Sequence, residues 1–267
     1  MQWEELTSDE FAAASAECGR VCVMALGCLE RHGPHMPLGT DMINGHRIAV
    51  QAAQREPAIV FPPWMFAQIY EAKCFPGTIT LPPTMLVELM LTIYDEIGRN
   101  GLTKIITYIA HGGNNHLANF LCQCQLHEHK PYQLYAFSYG AGMTDQQRAR
   151  WKAILETDGG GHAGESETSI AMHHCPELVK MKATGGRSGV RQGRMDHVKA
   201  GFNGFWWYGD YPEHWAGEPA TASAEKGKAL SALQAEALAA FIRAVKQDEI
   251  TPKLAQEFFR REAELRS

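Results

Sequence analysis

The sequence has no long hydrophobic run. Nowhere in its 267 residues is there a stretch of the roughly 18 apolar residues that a membrane helix needs, so no membrane role is expected. The first residues, Met1-Gln2-Trp3-Glu4-Glu5, are acidic and lack the basic-then-apolar layout of a secretory signal, so a cytoplasmic location is expected. Positive charge is not in excess either. Against 25 Lys and Arg stand 30 Asp and Glu, a net charge of −5. Nucleic acid or an anionic membrane surface would call for the opposite balance. Arg187, Arg191, Arg194 and Lys199 do lie close together, but in a loop-rich stretch where a substrate anion or a subunit contact is the more natural partner. There is no internal repeat and no low-complexity tract. No Gly-x-Ser-x-Gly elbow announces a serine nucleophile. There is no Cys-x-x-Cys pair. The seven cysteines are an odd, scattered set, read as free thiols that mostly pack in the interior.

What is present points to a folded enzyme-sized domain. Hydrophobic residues make up 45% and charged residues 21% of the chain, richer in apolar residues than a disordered chain. The length suits one α/β domain spanning 1–267. Strand-like and helix-like segments alternate. Short apolar runs at 20–27, 58–61, 104–110 and 132–137 read as buried strands. Between and after them, 42–54, 83–99, 114–128, 144–156, 164–174 and 223–246 read as helices, with another starting near Pro252. In 83–99 the spacing of Leu86, Leu89, Met90, Ile93 and Ile97 is that of an amphipathic helix. Residues 182–222 are rich in Gly and aromatic rings and read as a long functional loop region. Alternation of this kind predicts a mostly parallel sheet covered on both faces.

Three polar clusters carry the chemistry. Glu30-Arg-His32-Gly-Pro-His35-Met-Pro-Leu-Gly-Thr-Asp41 follows the first strand. Glu30 and His32 are two apart and share a side if the backbone is extended. The Gly and Pro residues then turn the chain and bring Asp41 back. Carboxylate, imidazole, carboxylate is a ligand set for Zn, Mn or Fe; a polar loop capping a neighbouring helix is the alternative. His111-Gly-Gly-Asn114 follows the third strand, and ligands gather at the carboxyl ends of parallel strands. His116, just beyond, reads as structural. The third cluster is Asp158-Gly-Gly-Gly-His162-Ala-Gly-Glu165-Ser-Glu167-Thr-Ser169. Three glycines beside His and two Glu suit a site that needs close approach; an N-capped helix with solvated glutamates is the plainer reading.

Together these blocks, with Phe75-Pro-Gly-Thr-Ile-Thr-Leu81 and Ala220-Thr through Glu225-Lys-Gly-Lys228, resemble the signature of the creatininase (creatinine amidohydrolase) family. The resemblance runs from about residue 18 to about 245. It implies a three-layer α/β/α sandwich around a mostly parallel sheet. It also implies two divalent metal ions per subunit, Zn, Mn or Fe, and hydrolysis of a C–N bond in a small amide, cyclic amide or formamide by a metal-activated water. The family includes creatinine ring-openers, a formamide deformylase and a peptidase of peptide-cofactor maturation. Its members usually form homo-oligomers, often hexamers.

Carried over residue by residue, the resemblance gives Glu30, Asp41 and His111 to one metal. His32, Asp41 and a second glutamate go to the other. In creatinine-openers that glutamate lies two residues after the His matching His111, and Gly113 stands there in this sequence. Glu165 is the expected replacement, because creatinine-openers have an apolar residue at that place; Glu167 is the alternative. His162 is expected to relay a proton or bind substrate. Glu71, Lys73, Asn114 and Trp207 are the candidate substrate contacts. The stretch before His162 lacks the Trp and acidic residues of creatinine-openers, which argues against creatinine itself. A lactone or other C–O hydrolase using the same water, and a binding protein that kept the fold without turnover, are the competing functions.

Overall fold

The computed structural model describes residues 1–158, 161–198 and 201–265. Gly159 and Gly160 of the third cluster, and Lys199 of the cation group, lie outside the described residues. The sheet they contain has four strands, β1 (Val21–Leu26), β2 (Ile59–Val60), β3 (Lys104–Ile109) and β4 (Gln133–Phe137), in the order β2-β1-β3-β4. All three pairings are parallel. Every residue of β1 is buried, which is why it reads as an unbroken apolar run rather than an alternating one.

Parallel strands need crossovers, and helices supply them. After α1 (Ser8–Glu17) come α2 (Thr40–Arg55), α3 (Pro83–Arg99) and α4 (Asn115–Cys124). They are followed by α5 (Tyr139–Gly142), α6 (Asp145–Ile154), α7 (Glu165–His174), α8 (Trp206–Asp210), α9 (Ala224–Gln247) and α10 (Ile250–Glu264). Val21, Val23 and Ala25 of β1 pack into one core with Ile48 of α2, Ile170 of α7 and Leu238 of α9. Cys22, Met24 and Leu26 point the other way, into a second core with Ala14 of α1 and Leu86, Met90 and Tyr94 of α3. Two apolar faces on one strand thus give the three layers, α/β/α.

The local chemistry explains the element ends. Pro83 opens α3, where a missing N–H costs nothing. Gly101, at φ +88, follows its end in a conformation that favours glycine. Helix α1 was not anticipated from periodicity. Its signal is a capping box in which Thr7 and Glu10 satisfy each other's backbone N–H. Helix α4 is shorter than the expected 114–128, and the aromatic loop contains the short α8.

No helix among the described residues is long and apolar enough to cross a membrane. The chain leaves β1 towards β2 on one side and leaves β3 towards β4 on the other, through α2 and α4 on opposite faces of the sheet. The carboxyl ends of β1 and β3 therefore flank the topological switch point, the usual crevice for a ligand in an open parallel sheet.

Candidate metal centre

The chain leaves β1 at Leu26 and runs directly into the first polar cluster. Gly27 is required there: a Cβ would lie 2.6 Å from the backbone nitrogen of Met42. That close approach presses the Cys28–Glu30 loop against the first turn of α2, which carries Asp41. From β3, the backbone N–H groups of Ala110 and His111 both donate to the Leu26 carbonyl, so His111 is held beside the same loop.

The result is a buried cluster split by one carboxylate. His111 Nδ1 lies 2.7 Å from Glu30 Oε1 and 3.2 Å from Asp41 Oδ2. His32 Nε2 lies 3.2 Å from the other oxygen, Asp41 Oδ1, and 3.9 Å from Glu167 Oε2. Asp41 thus turns one oxygen towards each imidazole. The structure brings Glu30, His32, Asp41, His111 and Glu167 together.

It does not bring Glu165 to them, and this corrects the expectation for that residue. Its carboxylate, fully buried, accepts from Lys226 Nζ at 2.5 Å, Thr157 Oγ1 at 2.7 Å and the backbone N–H groups of Thr157 and Glu156. Burial alone would raise its pKa, but Lys226 and the Thr157 donors outweigh that and hold it at about 2. Glu165 ties α7 to the start of α9, where Gly227 passes so close that a Cβ would sit 1.8 Å from the Ser169 carbonyl oxygen. Removing one partner of a buried ion pair costs about 3–5 kcal/mol. Glu165→Ala is therefore expected to lower unfolding free energy by about 3 kcal/mol in a denaturant titration, while elemental analysis finds the metal content unchanged.

The charges in the cluster identify what it is built to hold. Burial pushes Glu167 up to about 7, and the nearby Asp41 and Glu30 carboxylates add to the rise against the opposing His32. Burial would lower His32, yet Asp41 and Glu30 raise it to about 10. Two buried carboxylates, Glu30 and Asp41, and the half-buried Glu167 thus sit together, and without a cation protons on His32, His111 and Glu167 balance them. Glu30 Oε1 is wholly buried and makes no hydrogen bond of good geometry among the described residues, with His111 Nδ1 beside it at 2.7 Å. A buried carboxylate oxygen without a well-formed hydrogen bond is expensive. A divalent ion removes that cost and lets the imidazoles bind as neutral donors. Three overlapping groups have the right spacing, Cys28–Glu30–Asp41–His111, His32–Asp41–Glu167 and Glu30–His32–His162, with ligand atoms within 4.8 Å of one another in each.

A cavity of about 1400 Å³ opens over this cluster. His162 lines it, buried, with its ring stacked on His32 at 4.1 Å. Its Nε2–H donates to the Arg31 carbonyl at 2.6 Å. Burial, then the neighbouring His32, lowers its pKa to about 3, so the ring is neutral and Nδ1 keeps its lone pair. Glu71 and Trp207 also line the cavity, and Lys73 stands exposed on its wall. Asn114 does not line it. It is buried, and its Oδ1 accepts from the backbone of Gln68, so it pins the Gln68–Glu71 segment instead of facing substrate. His116, read as structural from sequence, is on the cavity wall.

Sequence reasoning missed His214. Its Nε2–H donates to Glu30 Oε2 at 2.5 Å, and its Nδ1 accepts from Trp207 Nε1 at 3.0 Å. The only hint was its place within the aromatic loop already read as functional.

The comparisons with known proteins bear on this geometry. The family model described as creatinine amidohydrolase, or creatininase, matches residues 4–242. The chain belongs to the creatininase family. A creatinine amidohydrolase from Pseudomonas putida is 26% identical over 260 residues, covering 90% of this chain and 95% of that protein. A mycofactocin precursor peptide peptidase from Mycolicibacterium smegmatis is 26% identical over 163 residues, 59% of either chain. The match thus spans less than two thirds of the peptidase's length. A solved tryptophan-to-phenylalanine variant of creatininase superposes with a TM-score of 0.75 at 22% identity, over 92% of this chain and 99% of that one. A putative creatinine amidohydrolase from Bacteroides fragilis gives 0.72 at 24% identity, over 92% and 93%. These two share the fold. Solved creatininases include a zinc–zinc and a manganese form.

Within this creatininase-family chain, Gly113 leaves room that another residue takes. A Cβ at Gly113 would lie 2.5 Å from His111 Nε2 and 2.9 Å from Glu71 Oε1. The Glu71 carboxylate occupies that space, reaching it from a different segment. It is steadied by Gln68 Nε2 at 2.6 Å.

Proposed function

We propose that this protein is a metal-dependent hydrolase of amide C–N bonds with a two-metal centre. Glu30, Asp41 and His111 would hold one ion, and His32, Asp41 and Glu167 would hold the other. The observation that carries the reading is Asp41, whose two oxygens address two separate imidazoles, one of which, His111, lines the cavity. When bound, two divalent ions supply an activated water and polarise the amide oxygen. Zn, Mn and Fe all accept such donors.

The chain's own residues supply the rest. His162, whose Nδ1 is left with its lone pair by the Nε2–H bond to Arg31, is the proton-relaying group: Nδ1 takes the proton that the attacking water gives up and passes it to the departing nitrogen. His214 and Trp207 orient Glu30 through two hydrogen bonds in series. Trp207→Phe keeps an aromatic ring, though a smaller one, and loses the donor. A neutral hydrogen bond contributes about 0.5–1.5 kcal/mol, so kcat is expected to fall roughly three- to tenfold with metal content intact.

The substrate is an amide larger than creatinine. Ligand pockets are typically about 300–1,000 Å³, and this cavity exceeds them. Phe202, Phe205, Trp206 and Tyr208 on its wall favour an apolar or aromatic substituent, and Glu71 and Lys73 offer one charge of each sign. A homo-oligomer is part of the reading, and sedimentation of the purified protein tests it. The deciding experiment is elemental analysis followed by turnover assays of the metal-loaded protein on lactams, cyclic ureides, formamides and short peptides. Two ions per chain and hydrolysis of an amide in that panel are expected. A protein that binds no ion, or that cleaves only lactones, overturns the reading.

A further inference from the structure

Cys28 is not placed like the other buried cysteines. The Cys18 sulfur meets backbone carbonyls of Ser15 and Val21. The Cys28 sulfur, wholly buried, lies 3.2 Å from Asp41 Oδ2. That is the same oxygen that lies 3.2 Å from His111 Nδ1. Cys28 Sγ, Glu30, Asp41 and His111 offer four donor atoms all within 4.8 Å of one another. Around a tetrahedral ion, with metal–sulfur bonds of about 2.3 Å and metal–nitrogen or –oxygen bonds of about 2.0–2.1 Å, neighbouring donors sit about 3.5 Å apart. The observed separations have that scale. A second feature points to the same spot: Glu30 Oε1 is buried and makes no hydrogen bond of good geometry among the described residues, although His111 Nδ1 lies only 2.7 Å away.

We infer that Cys28 is the fourth protein donor to the ion held by Glu30, Asp41 and His111, and that its sulfur selects a borderline or soft ion such as Zn(II) over Mn(II). The inference rests on the two-metal reading above. Cys28 releases its proton to solvent as the ion binds, as any ligating thiol must. Thiolate favours zinc, whereas manganese prefers oxygen donors. The two halves of the site then differ: one offers sulfur, nitrogen and two carboxylates, the other one imidazole and two carboxylates. An ordinary polar contact, in which the thiol S–H donates to Asp41 and only steadies it, makes no such distinction.

The test is spectroscopic and needs no substrate. Metal-free full-length protein is loaded with Co(II). Wild type is expected to show a near-ultraviolet sulfur-to-cobalt charge-transfer band. Cys28→Ser is expected to lack it, and Cys74→Ser, at an exposed thiol, to retain it. In competition between Zn(II) and Mn(II), Cys28→Ser should lose zinc preference by more than the roughly 10–100-fold that removal of an outer hydrogen-bond partner costs. Zinc-edge X-ray absorption on wild type alone should show a sulfur neighbour at about 2.3 Å, which keeps the inference open to refutation should the variant fail to fold. Cobalt bound without the band, or zinc without sulfur, overturns the Cys28 assignment and leaves the two-metal reading standing. Failure to bind either ion overturns both.

Discussion

Asp41→Ala is expected to strip the protein of both metal ions and of all measurable turnover. The side chain stands between His111 and His32 with one oxygen towards each, so in the proposed two-metal centre its loss would remove a donor from both ions at once. No neighbour can replace it. Glu30 is already engaged by His214 on its second oxygen, and Glu167 is held at its Oε2 by the backbone N–H of Ala163 at 2.8 Å. Asp41 also opens the first turn of α2, where a carboxylate is favourable to the helix dipole by about 0.3–1 kcal/mol. A small stability loss should therefore accompany the metal loss. Elemental analysis after gel filtration decides the matter. An Asp41→Ala protein that keeps two ions per chain would show that Asp41 does not bridge.

His162→Ala is expected to separate metal binding from chemistry. The ring packs on His32 and hydrogen-bonds Arg31, and the first groups of ligands do not include it as a necessary member. The third group with metal-binding spacing, Glu30–His32–His162, does include it, so the measurement is a real choice between roles. As a proton-relaying group, His162 should contribute about 10²–10⁴-fold to kcat with both ions retained. Loss of an ion in this variant would make His162 a ligand instead. Because burial keeps the imidazole neutral down to about pH 3, its own titration should not appear as a limb of the pH–rate profile near neutrality.

Much of the fold was legible because it is written in local pattern. The apolar run that became β1 and the spacing that became α3 need only neighbouring residues to be recognised. The gathering of Glu30, His32 and His111 follows from the same logic. Each lies directly after a central strand, and the ends of β1 and β3 must flank one crevice. The choice between Glu165 and Glu167 did not follow. Residues two apart on a helix are about 200° apart around its axis, so only one can face the centre. Which one depends on what packs on the other side, and that is Lys226, 61 residues further along. Asn114 likewise looked available in a Gly-Gly-Asn turn, but the Gln68 segment claims it.

The sequence by itself therefore determined the alternation of strands and helices, the parallel sheet, and a carboxylate–imidazole centre at the strand ends. Those depend on short-range periodicity and on which residues follow a strand. Only the tertiary structure decided that Glu167 turns inward, that Glu71 takes the room left by Gly113, that His214 holds Glu30, and that the Cys28 sulfur touches Asp41. Of these four contacts, the His214–Glu30 pair is 184 residues apart and the Cys28–Asp41 pair 13. Such contacts form when separate elements are pressed together by core packing, and no periodicity along the chain encodes which polar atoms then meet.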